Sequence, residues 1–162
     1  MHRRILQGLF LLAAVAAFSI PVTAQAPDSW LGTWKLNVAK PKWDAGSSAP
    51  KSQTVTQVAI AGGCMKSTGA MVDSQGKAIH TELTTMFDGK PAIVAGAADA
   101  KTTRVYKRID KQTYEFSTLV NGKVTSTTRS VTSADGKTRT VTSTGKNAQG
   151  VAYTDVVVYD KQ

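Results

Sequence analysis

Four turn signals of one kind recur along the C-terminal part of this 162-residue chain. They are Gln75-Gly76-Lys77, Asp88-Gly89-Lys90, Asn121-Gly122-Lys123 and Asp135-Gly136-Lys137. Asn-Gly and Asp-Gly supply the two left-handed positions of a type I′ turn, whose twist matches that of paired antiparallel strands. Each signal therefore predicts a tight hairpin. Further turns are predicted at 110–112 and 147–150.

The segments between these turns are rich in threonine and valine and show no helical spacing, which is typical of β-strands. We predict strands near residues 32–38, 52–61, 64–72, 78–87, 91–95, 101–109, 113–121, 123–133, 137–145 and 151–160. An open sheet of this length would leave two aggregation-prone edges, and closure removes them. The sequence predicts an all-β fold, a single antiparallel up-and-down meander barrel of eight to ten strands, with an irregular crossing loop at 39–51 that has at most one helical turn.

The N-terminus has the pattern of a signal peptide. Arg3 and Arg4 precede an apolar run at 5–18 that is too short to span a bilayer comfortably, and small residues follow that suit cleavage after Ala24 or Ala26. We expect residues 1–24 to be the signal peptide and residues 27–162 to form the barrel domain, with no transmembrane segment. The expected location is periplasmic or secreted by the Sec-type route; a twin-arginine route and an uncleaved anchor helix are the alternatives.

The chain is basic, with 20 lysines and arginines against 11 acidic residues. Without Arg3 and Arg4 the balance is 18 to 11, so the mature protein stays near +7. The lysines are spread along the chain, which favours a solvated surface, and no basic stripe is interleaved with aromatic residues. We predict no nucleic-acid partner, whereas contact with an anionic membrane or cell-wall polymer stays open.

The segment Trp30-Leu31-Gly32-Thr33-Trp34 resembles the Gly-x-Trp start that lipocalins share with fatty-acid-binding proteins, both of them calycin-type barrels. In those families the tryptophan plugs the closed end of the barrel, so the resemblance assigns Gly32 and Trp34 to a structural plug. It implies a barrel that binds a small molecule. The closer likeness is to small exported lipocalin-like proteins of bacteria.

The far end of the chain, residues 156–161, resembles the closing strand of the fatty-acid-binding family. That family ends in Arg-x-Tyr, a pair that holds the carboxylate of the ligand, and the matching positions here are Val157 and Tyr159. The arginine is missing. The family also places a helix-turn-helix lid after the first strand, and the segment at 38–51 is too short and too rich in helix breakers to form one.

Groups able to catalyse are scarce, since the mature chain has one histidine, one cysteine and two glutamates. His80 shares a strand face with Glu82 and is expected to face solvent. Cys64 is expected to be a buried small residue, with an intermolecular disulfide as the alternative. No metal-ligand spacing is present. The sequence predicts a non-enzymatic protein without cofactor or metal; an enzyme of unfamiliar type, testable first at His80, is a third hypothesis.

Two arginines alternate with valines on the predicted strands, Arg129 with Val131 and Arg139 with Val141. If the valines point inward, the arginines do as well and need an acidic partner, water or an anionic ligand group. The alternative is that both lie near strand ends and reach solvent. The candidate ligand-binding residues are Arg129, Arg139, Tyr114 and Tyr159.

We therefore predict an exported barrel that binds a small, partly apolar molecule, with an anionic group on that molecule as one option. The alternative is a non-enzymatic envelope protein that contacts other components through its basic outer surface.

Overall fold

The structure is a computed structural model and describes residues 28–44, 47–147 and 149–162. The predicted signal peptide and both predicted cleavage positions lie outside the described residues. Within the described residues no helix is long and apolar enough to cross a membrane.

The described chain is all-β, as predicted, and its strands agree with the predicted runs to within about two residues. The strands are β1 Gly32–Leu36, β2 Ser52–Ile60, β3 Cys64–Val72, β4 Ala78–Thr85, β5 Pro91–Ile93, β6 Thr102–Arg108, β7 Thr113–Val120, β8 Lys123–Thr132, β9 Thr138–Lys146 and β10 Ala152–Lys161. A single 3₁₀ turn, Ala61–Gly63, joins β2 to β3.

The ten strands form one antiparallel sheet in the order β4-β3-β2-β1-β10-β9-β8-β7-β6-β5. Its two edges meet where β4 faces the residues after β5: Glu82 and Ala95 exchange two backbone hydrogen bonds of 3.0 and 2.9 Å. Gly96 passes so close to β4 that a Cβ atom there would lie 1.9 Å from the carbonyl oxygen of His80. The barrel is therefore nearly closed, with its weakest seam between β4 and β5.

The predicted turns lie where expected, but the prediction of type I′ geometry at all four is wrong. Of these four turns, only the one at Asn121 and Gly122 has two consecutive positive φ values, 53° and 75°. At the Asp88 and Asp135 turns the carboxylate instead accepts the backbone N–H two residues later. Asp-Gly can close a turn through this side-chain bond, which needs only one left-handed residue.

The long connection between β1 and β2 is irregular and has no helix in its described part. Past the end of β1 it continues along β10, where Asn37 N–H donates to Val158 O at 2.9 Å and Lys42 forms two backbone bonds with Val156. The Ser47 hydroxyl then bonds the buried carboxylate of Asp155 at 2.7 Å. This connection fills the wedge left because β1 is shorter than its neighbours.

The barrel has two distinct ends. At the tryptophan end lie residues 28–31, the turns 61–63, 86–90, 109–112 and 133–137, and the C-terminus; at the loop end lie the connections 37–51, 73–77, 94–101, 121–122 and 147–151. The main core is packed in the tryptophan half and consists of Trp30, Met65, Leu83, Val94, Tyr106 and Tyr114. A second cluster of Trp34, Leu36, Val157 and Tyr159 adjoins it.

Candidate ligand-binding site

The barrel interior contains a cavity of about 90 Å³. Its walls come from the inward faces of β2, β3, β6, β7, β9 and β10, because alternate residues of a barrel strand point inward. The lining side chains are Gln53, Val55, Gln57, Ser67, Arg104, Tyr106, Tyr114, Phe116, Arg139, Val141 and Tyr159. The lining thus combines two cations, three phenols and two amides with apolar surface, and it includes no carboxylate.

Arg139 is the central polar group of this cavity. It is 2% exposed, and its Nη1 atom donates to Gln57 Oε1 at 2.5 Å and to Tyr114 Oη at 3.4 Å. The guanidinium carbon lies 4.8 Å from the centroid of the Trp34 ring and 5.1 Å from that of Tyr159. Aromatic rings stabilise a guanidinium by about 0.5–2 kcal/mol each, so these contacts offset part of its burial.

The charge of Arg139 is not neutralised within the described part of the protein. None of the ion pairs there involves Arg139, and its buried Nε–H has no hydrogen-bond partner. Arg104, whose guanidinium lies 4.8 Å from the Phe116 ring, also has a buried Nε–H without a partner. Because a buried cation without an anion is costly, these donors are suited to an acidic group entering the cavity.

The phenols supply neutral polar groups around the two arginines. Tyr159 donates to Gln53 Oε1 at 2.6 Å, and Gln57 Nε2 donates to Tyr114 Oη at 3.1 Å. Burial raises the pKa of Tyr106 and of Tyr159 to about 12, against the smaller opposing effect of the nearby arginines. Both phenols therefore remain neutral at physiological pH and leave the cavity with a positive charge.

No protein-family model and no curated protein matches the sequence. Solved structures of the fluorescent protein UnaG do match. The match with the wild type extends over 98% of UnaG and 83% of this chain, with 13% identity and a TM-score of 0.57. A point mutant of UnaG matches with the same identity and TM-score. This chain shares the fold of UnaG, an antiparallel up-and-down β-barrel. At this identity the likeness concerns the fold alone.

In this barrel three of the four candidate residues come together. Arg139, Tyr114 and Tyr159 line one cavity. Arg129 lies on the outer face, where it is exposed and bonded to Glu115. The prediction that Arg129 points inward together with Val131 is therefore wrong. Val131 is itself 39% exposed, which shows why valine alone does not mark the inner face of this barrel.

Arg104 was missed as a lining residue. Alternation places Arg104 on one face of β6 with Thr102 and Tyr106, but only the structure shows that this face is the buried one. The arginine missing before Tyr159 also has a counterpart: Arg139 lies directly opposite Tyr159 in the β9–β10 register. An arginine and a tyrosine from two neighbouring strands thus lie side by side in this cavity.

The two residues assigned to the plug lie at the tryptophan end. Trp34 is fully buried, and its indole N–H donates to the carbonyl oxygen of Trp30 at 2.9 Å. Gly32 has a φ of 119°, and a Cβ atom there would lie 3.0 Å from the side chain of Lys161. A glycine at this position lets the chain turn into β1 beneath the Lys161 side chain, which lies over the Trp34 ring.

The two other residues singled out in the sequence lie outside the cavity. His80 is exposed on the outer face of β4, as predicted. Cys64 is a free thiol at the start of β3 and only partly buried, so the prediction of a buried cysteine is wrong. It follows a glycine-rich turn at the barrel rim, where few side chains are available to cover it.

Proposed function

We propose that this protein binds a small, partly apolar molecule inside the barrel and holds an acidic group of that molecule at Arg139. The observation that carries the proposal is a buried guanidinium that faces the cavity and has no carboxylate partner in the described part of the chain. An acidic ligand would complete the hydrogen bonding of Arg139 and neutralise it. The function is one of binding, without a chemical step.

The cavity size limits what fits at this point. A volume of about 90 Å³ holds an acidic head group and a few carbon atoms, which is well below the roughly 300 Å³ of common ligand pockets. A longer tail would extend toward the loop end, where inward positions carry small residues such as Gly69 and Ser143. The aromatic cluster blocks the opposite direction, so the acidic group is the part that enters deepest.

Export to the periplasm or the medium is part of the same proposal. Its support is the N-terminal pattern of basic, apolar and small residues. Mass spectrometry of the protein recovered from cells of its source would test it: a mature N-terminus at Gln25 or Pro27 is expected. A full-length chain confined to the cytoplasm would contradict it.

The binding proposal is tested by calorimetric titration with octanoate, using octanol as the uncharged ligand of equal length. Charge-assisted hydrogen bonds contribute about 1.5–3 kcal/mol, so Arg139→Gln should weaken octanoate binding roughly tenfold to a hundredfold. Octanol affinity should be low and little changed by the substitution. The control is Arg129→Gln, which removes the same side chain from the outer face of the neighbouring strand.

Octanoate affinity that is unchanged in Arg139→Gln, or reduced equally in Arg129→Gln, would contradict the role of Arg139. Arg104→Gln serves as a second variant if Arg139→Gln unfolds, and it should weaken octanoate binding in the same sense. Absence of binding by the unsubstituted protein to octanoate and to shorter acids would contradict the proposal as a whole.

A further inference from the structure

The two ends of the barrel differ in charge. At the loop end seven lysines lie within or directly beside the five connections: Lys40, Lys42, Lys51, Lys77, Lys101, Lys123 and Lys146. Three aspartates accompany them there, so the formal excess is four positive charges. At the tryptophan end five basic residues lie among four aspartates, and two ion pairs, Arg108–Asp28 and Lys90–Asp88, link some of them.

The lysines of the loop end are exposed, and none of them forms an ion pair with a carboxylate in the described residues. Each of the five connections carries or adjoins at least one, so they surround the whole rim. Two of the aspartates there, Asp73 and Asp99, accept backbone N–H groups of their own turns. The charge of the seven lysines is therefore presented to solvent at this end.

Aliphatic side chains are exposed among these lysines. Val38, Ile93, Val124 and Val151 are 62%, 70%, 62% and 53% exposed, and each belongs to a different connection or lies within two strand residues of it. Trp43, the tryptophan of this end, packs against the second core cluster. Trp43 is thus only partly exposed, and base stacking, on which the binding of single-stranded nucleic acids depends, has no fully exposed tryptophan at this end of the described chain. Lysines interspersed with aliphatic groups are typical of surfaces that rest on an anionic bilayer.

We propose that the loop end docks on the surface of an anionic lipid bilayer. The lysines attract the phosphate groups of the lipids, and the four aliphatic side chains reach the boundary between headgroups and acyl chains. The proposal is independent of the cavity and of any ligand in it. It places the end of the barrel that has small interior side chains against the bilayer.

The test is flotation of the purified protein with phosphatidylcholine vesicles that contain about 30% phosphatidylglycerol, in about 0.1 M salt. Two triple variants change the net charge equally. One carries Lys77→Glu, Lys101→Glu and Lys123→Glu at the loop end; the other carries Lys90→Glu, Lys111→Glu and Lys137→Glu at the tryptophan end. Circular dichroism establishes that both retain the sheet.

A lysine near an anionic surface contributes roughly fivefold in affinity, so the loop-end variant should lose about a hundredfold or more. The tryptophan-end variant should lose no more than about threefold, through the reduced net charge alone. Pure phosphatidylcholine vesicles should bind neither. Binding should decline with salt, and Val124→Ser with Val151→Ser should weaken it further.

Equal losses in the two triple variants would overturn the proposal, because net charge and not its position would then govern binding. Absence of binding to the anionic vesicles would overturn it as well. Binding to soluble polyphosphate without binding to vesicles would likewise overturn it, and would indicate that this surface binds an anionic polymer.

Discussion

The tryptophan end and the loop end of this barrel are built from the same ten strands but from different side chains. At the tryptophan end, Trp30, Phe87, Tyr106 and Tyr114 contact one another with ring centroids 5.2–6.4 Å apart. At the loop end, hydrogen bonds of Asp155 and the backbone of β10 hold the long connection in place. Packing thus closes one end and polar bonds shape the other.

Removing one tryptophan from each end tests this difference most strongly. Trp34→Ala deletes a fully buried ring at the tryptophan end and should lower the free energy of unfolding by about 3–5 kcal/mol. Trp43→Ala removes a partly exposed ring at the loop end and should lower it by about 1–2 kcal/mol. Urea unfolding followed by circular dichroism measures both. Equal losses would show that the two ends contribute alike.

A pair of glycines tests whether the seam between β4 and β5 depends on close backbone contact. Gly89 and Gly96 have nearly equal φ values, 77° and 76°, but a Cβ atom meets nothing within 4 Å at Gly89 and the His80 oxygen at 1.9 Å at Gly96. Gly89→Ala should cost about 1–2 kcal/mol, from backbone strain alone. Gly96→Ala should cost about 1–3 kcal/mol more, because the seam must separate.

Thermal unfolding of the two alanine variants provides the measurement. Hydrogen exchange at the amides of Glu82 and Ala95 should accelerate in Gly96→Ala and stay unchanged in Gly89→Ala. Similar behaviour of the two variants would mean that the seam tolerates separation without loss of stability.

The fold was predictable from the sequence because its strands are delimited by local chemistry. Turn residues and β-branched runs gave all ten strands, and only the turn geometry was wrong. Asn121-Gly122 adopts the expected left-handed pair, whereas Asp135 closes its turn with its carboxylate. Sequence does not separate these two outcomes, since both use a small polar residue before glycine.

The candidate site was predictable in part, because alternation places residues on a common face but does not say which face is inside. Arg129 and Arg139 have the same spacing from a valine, yet one bonds Glu115 outside and the other lies between Trp34 and Tyr159. The difference comes from partners on other strands, which the register brings together. Arg104 was missed for the same reason, since its neighbours on β7 decide its environment.

Alkaline pH should act on the tryptophan half of the barrel. The pKa of Tyr106 and of Tyr159 is raised from 10.0 to about 12, chiefly because burial disfavours the phenolate. The unfolded chain exposes both phenols, so they ionise more readily there. Their contribution to stability is complete below pH 10 and is lost as the pH rises from 10 to 12.

We therefore expect phenolate absorbance to rise in a late step that coincides with loss of the circular dichroism of the sheet. Near neutral pH neither the phenolate absorbance nor the circular dichroism should change. Tyr159→Phe and Tyr106→Phe each remove one of the two raised groups, so each should reduce the steepness of this alkaline unfolding. A folded protein in which Tyr106 and Tyr159 ionise near pH 10 would contradict the burial of these phenols. Because both phenols border the cavity of Arg139, that result would also mean that water already reaches the guanidinium, and an acidic ligand would then gain little by pairing with it.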